Sequence, residues 1–543
     1  MGGVDAPDTT PATSPAASTG LSQADAGRLD TVRRFGTVGA LLMAVASLGA
    51  GTAPVLGNPV VGRPVLGLFT RMPTASLAIA YTGVFMVVLA WLWLGALAAP
   101  WRSQLIPGRL ISRAQLDRTL VMWVVPLLVA PPMFSRDVYS YLAQSAMADR
   151  GLDPYVLGPA EALGVDHPLV RGIPTIWRNT PAPYGPLFLT LGRPIDWIAG
   201  DDVVVGALLH RTLALAGLVL IVWALPRLAR RVGISPVFAL WLGAANPLVL
   251  FHLVSGAHNE ALMIGLMLAG LELALRRPVL GPALWGGTVL IAAAASVKVP
   301  AALALGFVTV WLARHRGGRL RDLVVAGTTV GGVAVATTVA IGLGTGLGFG
   351  WIGALDTPNA VRSWMSAATD LGVLAAWIGG LLGLGDHTTS VLGLVRSAGL
   401  AASAGVCVLL LWRCWGGRLD PLAGLGVGLG AVVLLGPVVH PWYLLWAAIP
   451  LAASATHPVF RTSATVASTV LALLVAPTGS DFLFRAWVVP TAIVAGAILL
   501  VIPLLVVHGR TPALSDTFRI GRDQDPGRPA SGRAGASGLG IPT

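Results

Sequence analysis

Apolar residues come in runs of about 15 to 25 between Gly36 and His508, separated by short turns that carry most of the polar side chains. These runs predict membrane-spanning helices over 36–57, 75–98, 119–133, 203–225, 236–254, 260–275, 279–297, 299–313, 323–346, 390–412, 420–439, 443–456, 463–478 and 486–508. Several are shorter than the ~20 residues that cross a bilayer at 1.5 Å per residue. The run 371–385 breaks the in–out alternation and reads as re-entrant or interfacial. No sequence repeat of about 20–50 residues is evident along the chain.

One polar segment interrupts the pattern at length. Residues 133–202 hold eight acids (Asp137, Asp149, Asp153, Glu161, Asp166, Asp196, Asp201 and Asp202) and eight prolines, among them Pro154, Pro174, Pro181, Pro183 and Pro186. Proline at that density stops helices and imposes an irregular path. Only Ser135–Arg150 lacks proline and predicts a helix, with Val138, Leu142 and Ala146 on one face. A long loop of this kind on a membrane protein is more often functional than decorative.

Composition sharpens the class. The 543 residues are 55% hydrophobic and 11% charged, with a mean hydropathy of +0.77. An ordinary soluble protein carries about 25% charged residues. Soluble, fibrous and disordered classes are therefore excluded for nearly the whole chain, which reads as an all-α polytopic membrane protein. The formal charge of +12 comes from 35 arginines and a single lysine. Of the arginines, 24 fall in alternate loops and in the tails, among them Arg33, Arg118, Arg231, Arg276, Arg314, Arg413 and Arg461. The positive-inside rule then puts both termini in the cytoplasm and 133–202 outside. No basic helix with interleaved aromatics is present, so nucleic acid is excluded as a partner. Residues 1–34 and 509–543 read as disordered cytoplasmic tails, the first with no apolar core of a signal peptide. Cys407 and Cys414 suggest neither a disulfide nor a metal site.

With so few charges, each ionisable group at membrane depth is a functional candidate. Glu161, Glu260 and Glu272 are the only glutamates. Glu272 precedes Arg276 by four residues and reads as a structural ion pair. Asp137, in PPMFSRDVYSY with Arg136, Tyr139 and Tyr141, lies where a span emerges on the outer face. It could take a proton from an attacking hydroxyl. Pairing with Arg136, or a favourable helix-start position worth ~0.3–1 kcal/mol, would account for it equally well. His258, Asn259 and Glu260 occupy a short outer turn, where they could cap helices or orient a sugar, and are too few for a metal site. Lys298 at an outer turn and Arg211 some 12 Å into a span could hold a lipid phosphate. Snorkelling would also explain Lys298. His440, Trp442 and Tyr443 in HPWYLLW, with Trp177 and Tyr184 in the loop, could belong to the interfacial aromatic belt or stack on sugar rings. This constellation suits group transfer from a lipid phosphate, and more loosely a transporter. A transporter would not need so long an acidic, proline-rich outer loop, and no duplicated pair of interrupted helices is visible.

The motifs FSRDVYSYLAQSAMADRGLDPY, PAPYGPLF, GAHNEALMIG, SVKVPA and HPWYLLW resemble those of the polyprenol-phosphomannose-dependent α-1,6-mannosyltransferases of actinobacteria, over roughly residues 35–505. Those enzymes build the mannan backbone of lipomannan and lipoarabinomannan and belong to the GT-C superfamily. The resemblance implies a GT-C-type membrane domain over 35–508, with about 13–14 spanning helices. It implies a polyprenyl-phosphate-mannose donor and a mannosylated phosphatidylinositol or lipomannan-type acceptor at the outer face of the plasma membrane. It lands the acidic residue of the first large outer loop on Asp137, as catalytic base for an inverting transfer. Arg136, Tyr139, Tyr141, Tyr184, Arg211, His258, Asn259, Glu260, Lys298, His440, Trp442 and Tyr443 become the substrate-binding set, with Lys298, Arg211 or Arg136 to stabilise the departing lipid phosphate. A metal is not required by that chemistry, and assistance by a divalent ion stays open. In GT-C enzymes the acid often follows the first span, whereas two spans here precede the one leading to Asp137. Another GT-C transferase using a different polyprenyl-phosphate sugar, or a lipid-linked-sugar transporter, is the alternative.

Overall fold

A computed structural model describes residues 21–52, 57–98, 111–360, 363, 365–455, 457–479 and 487–510, and no strand occurs among them. The chain is an all-α polytopic membrane protein. Six helices are long and apolar enough to cross a membrane: α1 (Gln23–Ala50), α2 (Pro73–Ala98), α6 (Val203–Arg231), α11 (Leu320–Gly344), α13 (Thr388–Trp415) and the last, α17 (Val488–Arg510). Between them lie shorter elements. These are α3 (Arg113–Leu128), α4 (Asp137–Asp149), α5 (Pro186–Ala199), α7 (Pro236–Gly243), α8 (Glu260–Ala274), α9 (Pro282–Ala295) and α10 (Leu303–His315). Then follow α12 (Ala367–Leu381), α14 (Pro421–Leu435), α15 (Leu444–Ala452) and α16 (Pro458–Leu474). The interfacial reading of 371–385 falls on α12, a helix packed against α13.

Helices surrounded by lipid gain little from hydrophobic burial against one another, so close backbone approach and buried hydrogen bonds hold the bundle. Glycines make the approach. A Cβ on Gly83 would lie 2.5 Å from the Gly39 carbonyl where α1 meets α2, and one on Gly265 would lie 2.4 Å from the Gly217 carbonyl where α6 meets α8. Trp91 and Trp241 stack at 5.1 Å, and each indole N–H donates to the other's carbonyl, which locks α2 to α7.

Three departures from the sequence pattern have local causes. The first helix begins at Gln23, inside the 1–34 tail expected to be disordered. The Ser22 hydroxyl accepts from the Asp25 N–H and caps it, and Asp25 sits in its first turn. Residues 1–20 and 511–543, the rest of both tails, lie outside the described residues. The span drawn over 236–254 is broken: α7 stops at Gly243, and the chain continues as a π-helix over Val249–Ser255. Asn246 causes the break, since its side chain accepts from the Leu248 N–H and donates to the Leu242 carbonyl and Ser468. The proline-rich part of the loop is also more helical than expected. In α5, Pro186 occupies the first turn, where its missing N–H costs nothing.

Candidate active site

The site gathers at the turns that join α3 to α4, the π-helix to α8, and α9 to α10, with the segment before α15 closing it. The first turn is tightly pinned. Thr52 donates its hydroxyl to the carbonyls of Pro132 and Ser135, and the Tyr139 hydroxyl donates back to the Thr52 carbonyl. Phe134 has φ +67°, a left-handed conformation costly for a large side chain, and its ring stacks on Phe251 at 4.9 Å. Ala257, just before His258, is the other non-glycine residue at positive φ among the described residues, at +54°. The surrounding packing thus forces two strained residues to aim Asp137 and His258 toward each other.

Asp137 opens α4, and its backbone N–H donates to the Ser135 hydroxyl. One carboxylate oxygen, Oδ2, lies 3.5 Å from Nδ1 of His258. That same Nδ1 is 3.6 Å from Oε2 of Glu260, whose other oxygen takes the Lys298 ammonium. Carboxylate, imidazole, carboxylate and ammonium thus form a chain of contacts, in which the Glu260–Lys298 link is a formed hydrogen bond. Burial and the nearby Glu260 charge push the Asp137 carboxyl up to about 6, against the opposing pull of Lys298 and Ser135. Burial works against the Lys298 ammonium, but Glu260 and Tyr443 outweigh it and raise the group overall. Burial, with Lys298 and His440, holds His258 well below the usual imidazole range, so its ring is neutral.

Aromatic rings wall this chain. Lys298 Nζ sits 4.7, 5.4 and 5.8 Å from the ring centres of Tyr443, Trp446 and Tyr184. Trp442 packs 4.1 Å from His258 and stacks on His440 at 4.5 Å. Tyr184 reaches the box because Gly185 docks on the α9–α10 turn, its N–H donating to the Val297 carbonyl. A Cβ on Gly185 would fall 2.2 Å from the Ser296 carbonyl, so the glycine of PAPYGPLF is a close-approach residue. Tyr141 meets Tyr184 edge-on at 5.1 Å, and its hydroxyl lies by the Asn259 backbone.

Most of the expected residues therefore converge, but two do not. The Arg211 guanidinium is fully buried and donates to the carbonyls of Leu128, Ala130, Val254 and Ser255 at 2.6–3.1 Å. Four of its five N–H donors go to the ends of α3 and the π-helix, so it serves there as a structural clamp. Tyr139 spends its hydroxyl on Thr52 and lines, with Arg211, Val203 and Ala207, a separate apolar cavity of about 150 Å³. Arg136, half-buried, precedes α4 at the edge of the cluster. Asn259 makes no capping bond, although it stands at the start of α8. Its side chain is buried without a protein partner, as are Glu260 Oε2 and the Trp442 N–H. Buried polar atoms left open in this way mark a surface built to meet another molecule. The Glu272–Arg276 pair forms at 3.6 Å, and Arg231 joins it at 2.9 Å, tying α6 to α8.

Sequence reasoning missed two members, His252 and Trp446. His252 is fully buried on the π-helix, 5.2 Å from Trp442 and 6.1 Å from His258. A histidine inside an apolar run was the available signal. Among the described residues no group of three His, Cys, Asp or Glu side chains is arranged to hold a metal ion.

Comparison with known proteins gives the family. The family model described as alpha-(1->6)-mannopyranosyltransferase, N-terminal domain, matches residues 33–314, and the MptB C-terminal domain matches 368–505. A probable alpha-(1->6)-mannopyranosyltransferase of Mycolicibacterium smegmatis is 47% identical, covering 91% of each chain. An alpha-(1->6)-mannopyranosyltransferase of Mycobacterium tuberculosis is 45% identical over 91% of this chain and 90% of its own. Alpha-(1->6)-mannopyranosyltransferase B of Corynebacterium glutamicum is 40% identical over 85% and 79%. No solved structure matches the chain significantly.

Proposed function

The chain belongs to the alpha-(1->6)-mannopyranosyltransferase family, and from that premise we propose an inverting transfer of mannose from polyprenyl-phosphate-mannose to the 6-hydroxyl of a mannan or lipomannan acceptor. The reaction takes place on the outer face of the plasma membrane, with both termini in the cytoplasm. The crowding of arginines into alternate loops supports that orientation.

Asp137 takes the proton from the acceptor 6-hydroxyl as its oxygen attacks C1 of the donor mannose. The bond from C1 to the phosphate oxygen breaks on the opposite face, and the polyprenyl phosphate departs with the electron pair. Lys298, held but still reachable at 14% exposure, offsets the developing phosphate charge. A carboxyl raised to about 6 is ionised at neutral pH yet basic enough to accept a proton. Tyr184, Tyr443 and Trp446 offer faces to a sugar ring. Mannosylated phosphatidylinositol or a lipomannan-type chain supplies the acceptor.

The observation that carries this reading is the chain of contacts from Asp137 through His258 and Glu260 to Lys298, which brings a base and a phosphate-seeking cation together. Asp137→Asn tests it. In membranes supplied with labelled polyprenyl-phosphate-mannose, transfer is expected to fall by ~10²–10⁴-fold. Retention of wild-type mannosyl transfer overturns the assignment.

A further inference from the structure

His258 is completely buried and faces two carboxylates with one nitrogen. A neutral imidazole carries a single proton, so Nδ1 can donate to Asp137 or to Glu260 but not to both. Glu260 already receives the Lys298 ammonium on its other oxygen, and Nδ1 lies slightly nearer Asp137 Oδ2, at 3.5 Å, than Glu260 Oε2, at 3.6 Å. The separation of 3.5 Å is long for a bond, and such contacts commonly tighten only when substrate binds. Trp442 at 4.1 Å fixes the plane of the ring, and His440 backs Trp442. The His258 backbone N–H donates to the His252 carbonyl at 3.3 Å, which ties the turn to the π-helix.

We propose that His258 is a positioning residue for Asp137: its Nδ1 proton holds Oδ2, so that the other carboxylate oxygen is presented to the acceptor hydroxyl. Glu260 is thereby left to Lys298, and the two ends of the reaction are served by separate partners. The inference rests on Asp137 being the base.

A hydrogen bond from Nδ1 favours the ionised form of Asp137. Transfer should therefore rise with pH as Asp137 loses its proton, with an acid limb near 6 in the wild-type enzyme. Glu260, Lys298 and Ser135 also face this carboxylate, with His252, His440, Tyr184 and Tyr443 around the cluster, and all of them remain in every His258 variant.

The experiment compares full-length wild-type protein with His258→Ala, His258→Asn, His258→Gln and Asp137→Asn in nanodiscs, using labelled polyprenyl-phosphate-mannose and a synthetic mannoside acceptor. Thermal unfolding controls for folding. Asn places an amide N–H near the position of Nδ1, whereas Gln places one near Nε2. His258→Ala should lower kcat by ~10–100-fold and move the acid limb up by about 1 pH unit, with the donor KM little changed. His258→Asn should restore the limb, and His258→Gln should behave like Ala. An unmoved limb in folded His258→Ala, or equal behaviour of Asn and Gln, overturns the inference. If Ala does not fold, the Asn–Gln pair decides alone. Wild-type transfer by Asp137→Asn would remove the base reading itself. An inactive Asp137→Asn beside an unmoved limb would reject only the role of His258.

Discussion

Arg211 and Lys298 are both cations in a bundle with few charges, and both are packed near the turn that carries His258. Arg211 lies on α6 and gives its guanidinium to four carbonyls, two at the end of α3 and two at the end of the π-helix. Those carbonyls belong to helix ends, where the last acceptors lack partners within the helix. Lys298 gives its ammonium to one carboxylate and otherwise meets ring faces and the Tyr443 hydroxyl at 3.5 Å. A point charge with rotatable donors under aromatic rings can accept one more oxygen, while a planar fork with four of its five donors used has little left to offer. Membrane depth alone therefore does not make a cation functional. The completeness of its partner set decides.

The largest effect expected from this contrast is on folding. Arg211→Ala would take the donor from four carbonyls, three of them in buried bonds, at about 1–3 kcal/mol for each buried acceptor left unsatisfied. Thermal unfolding and the yield of monodisperse protein should fall sharply. A folded, normally stable Arg211→Ala protein that has lost transfer would break the contrast, because it would return Arg211 to the chemistry. Lys298→Met should do the reverse, keeping the fold and lowering transfer by ~10²-fold, as removal of one transition-state donor does. Unfolding of that variant would make Lys298 a second clamp. The smallest change, about tenfold in transfer, is expected for Glu260→Gln. It keeps an acceptor oxygen for the ammonium and removes only the charge. A loss as deep as that of Lys298→Met would assign Glu260 a larger part than holding the lysine.

The same pair shows what could be read in advance. Arg211 looked like a phosphate cation because the sequence displays its depth in a span but not the carbonyls it meets, which lie 43 to 83 positions away along the chain. Glu272 was legible because its partner Arg276 lies one helical turn on. His252 was passed over because nothing in FHLVSG announces a π-helix, and Trp446 because its neighbours in HPWYLLW already fit an aromatic belt. The helix over α5 was hidden because proline signals a stop by default; Pro186 loses that meaning in the first turn, and Pro194 is accommodated inside the helix.

Sequence by itself determined the class of the molecule, most of its long helices and the family. Apolar run length and charge scarcity act locally, and the motifs survive as continuous strings. It also singled out Asp137, through its place just beyond a span. Tertiary structure alone decided which groups work together. Asp137 meets His258 across 121 positions, and Lys298 meets Tyr443 across 145. Contacts of that range are set by how helices cross, through glycine approaches and strained turns at Phe134 and Ala257 whose cost only the assembled packing can meet.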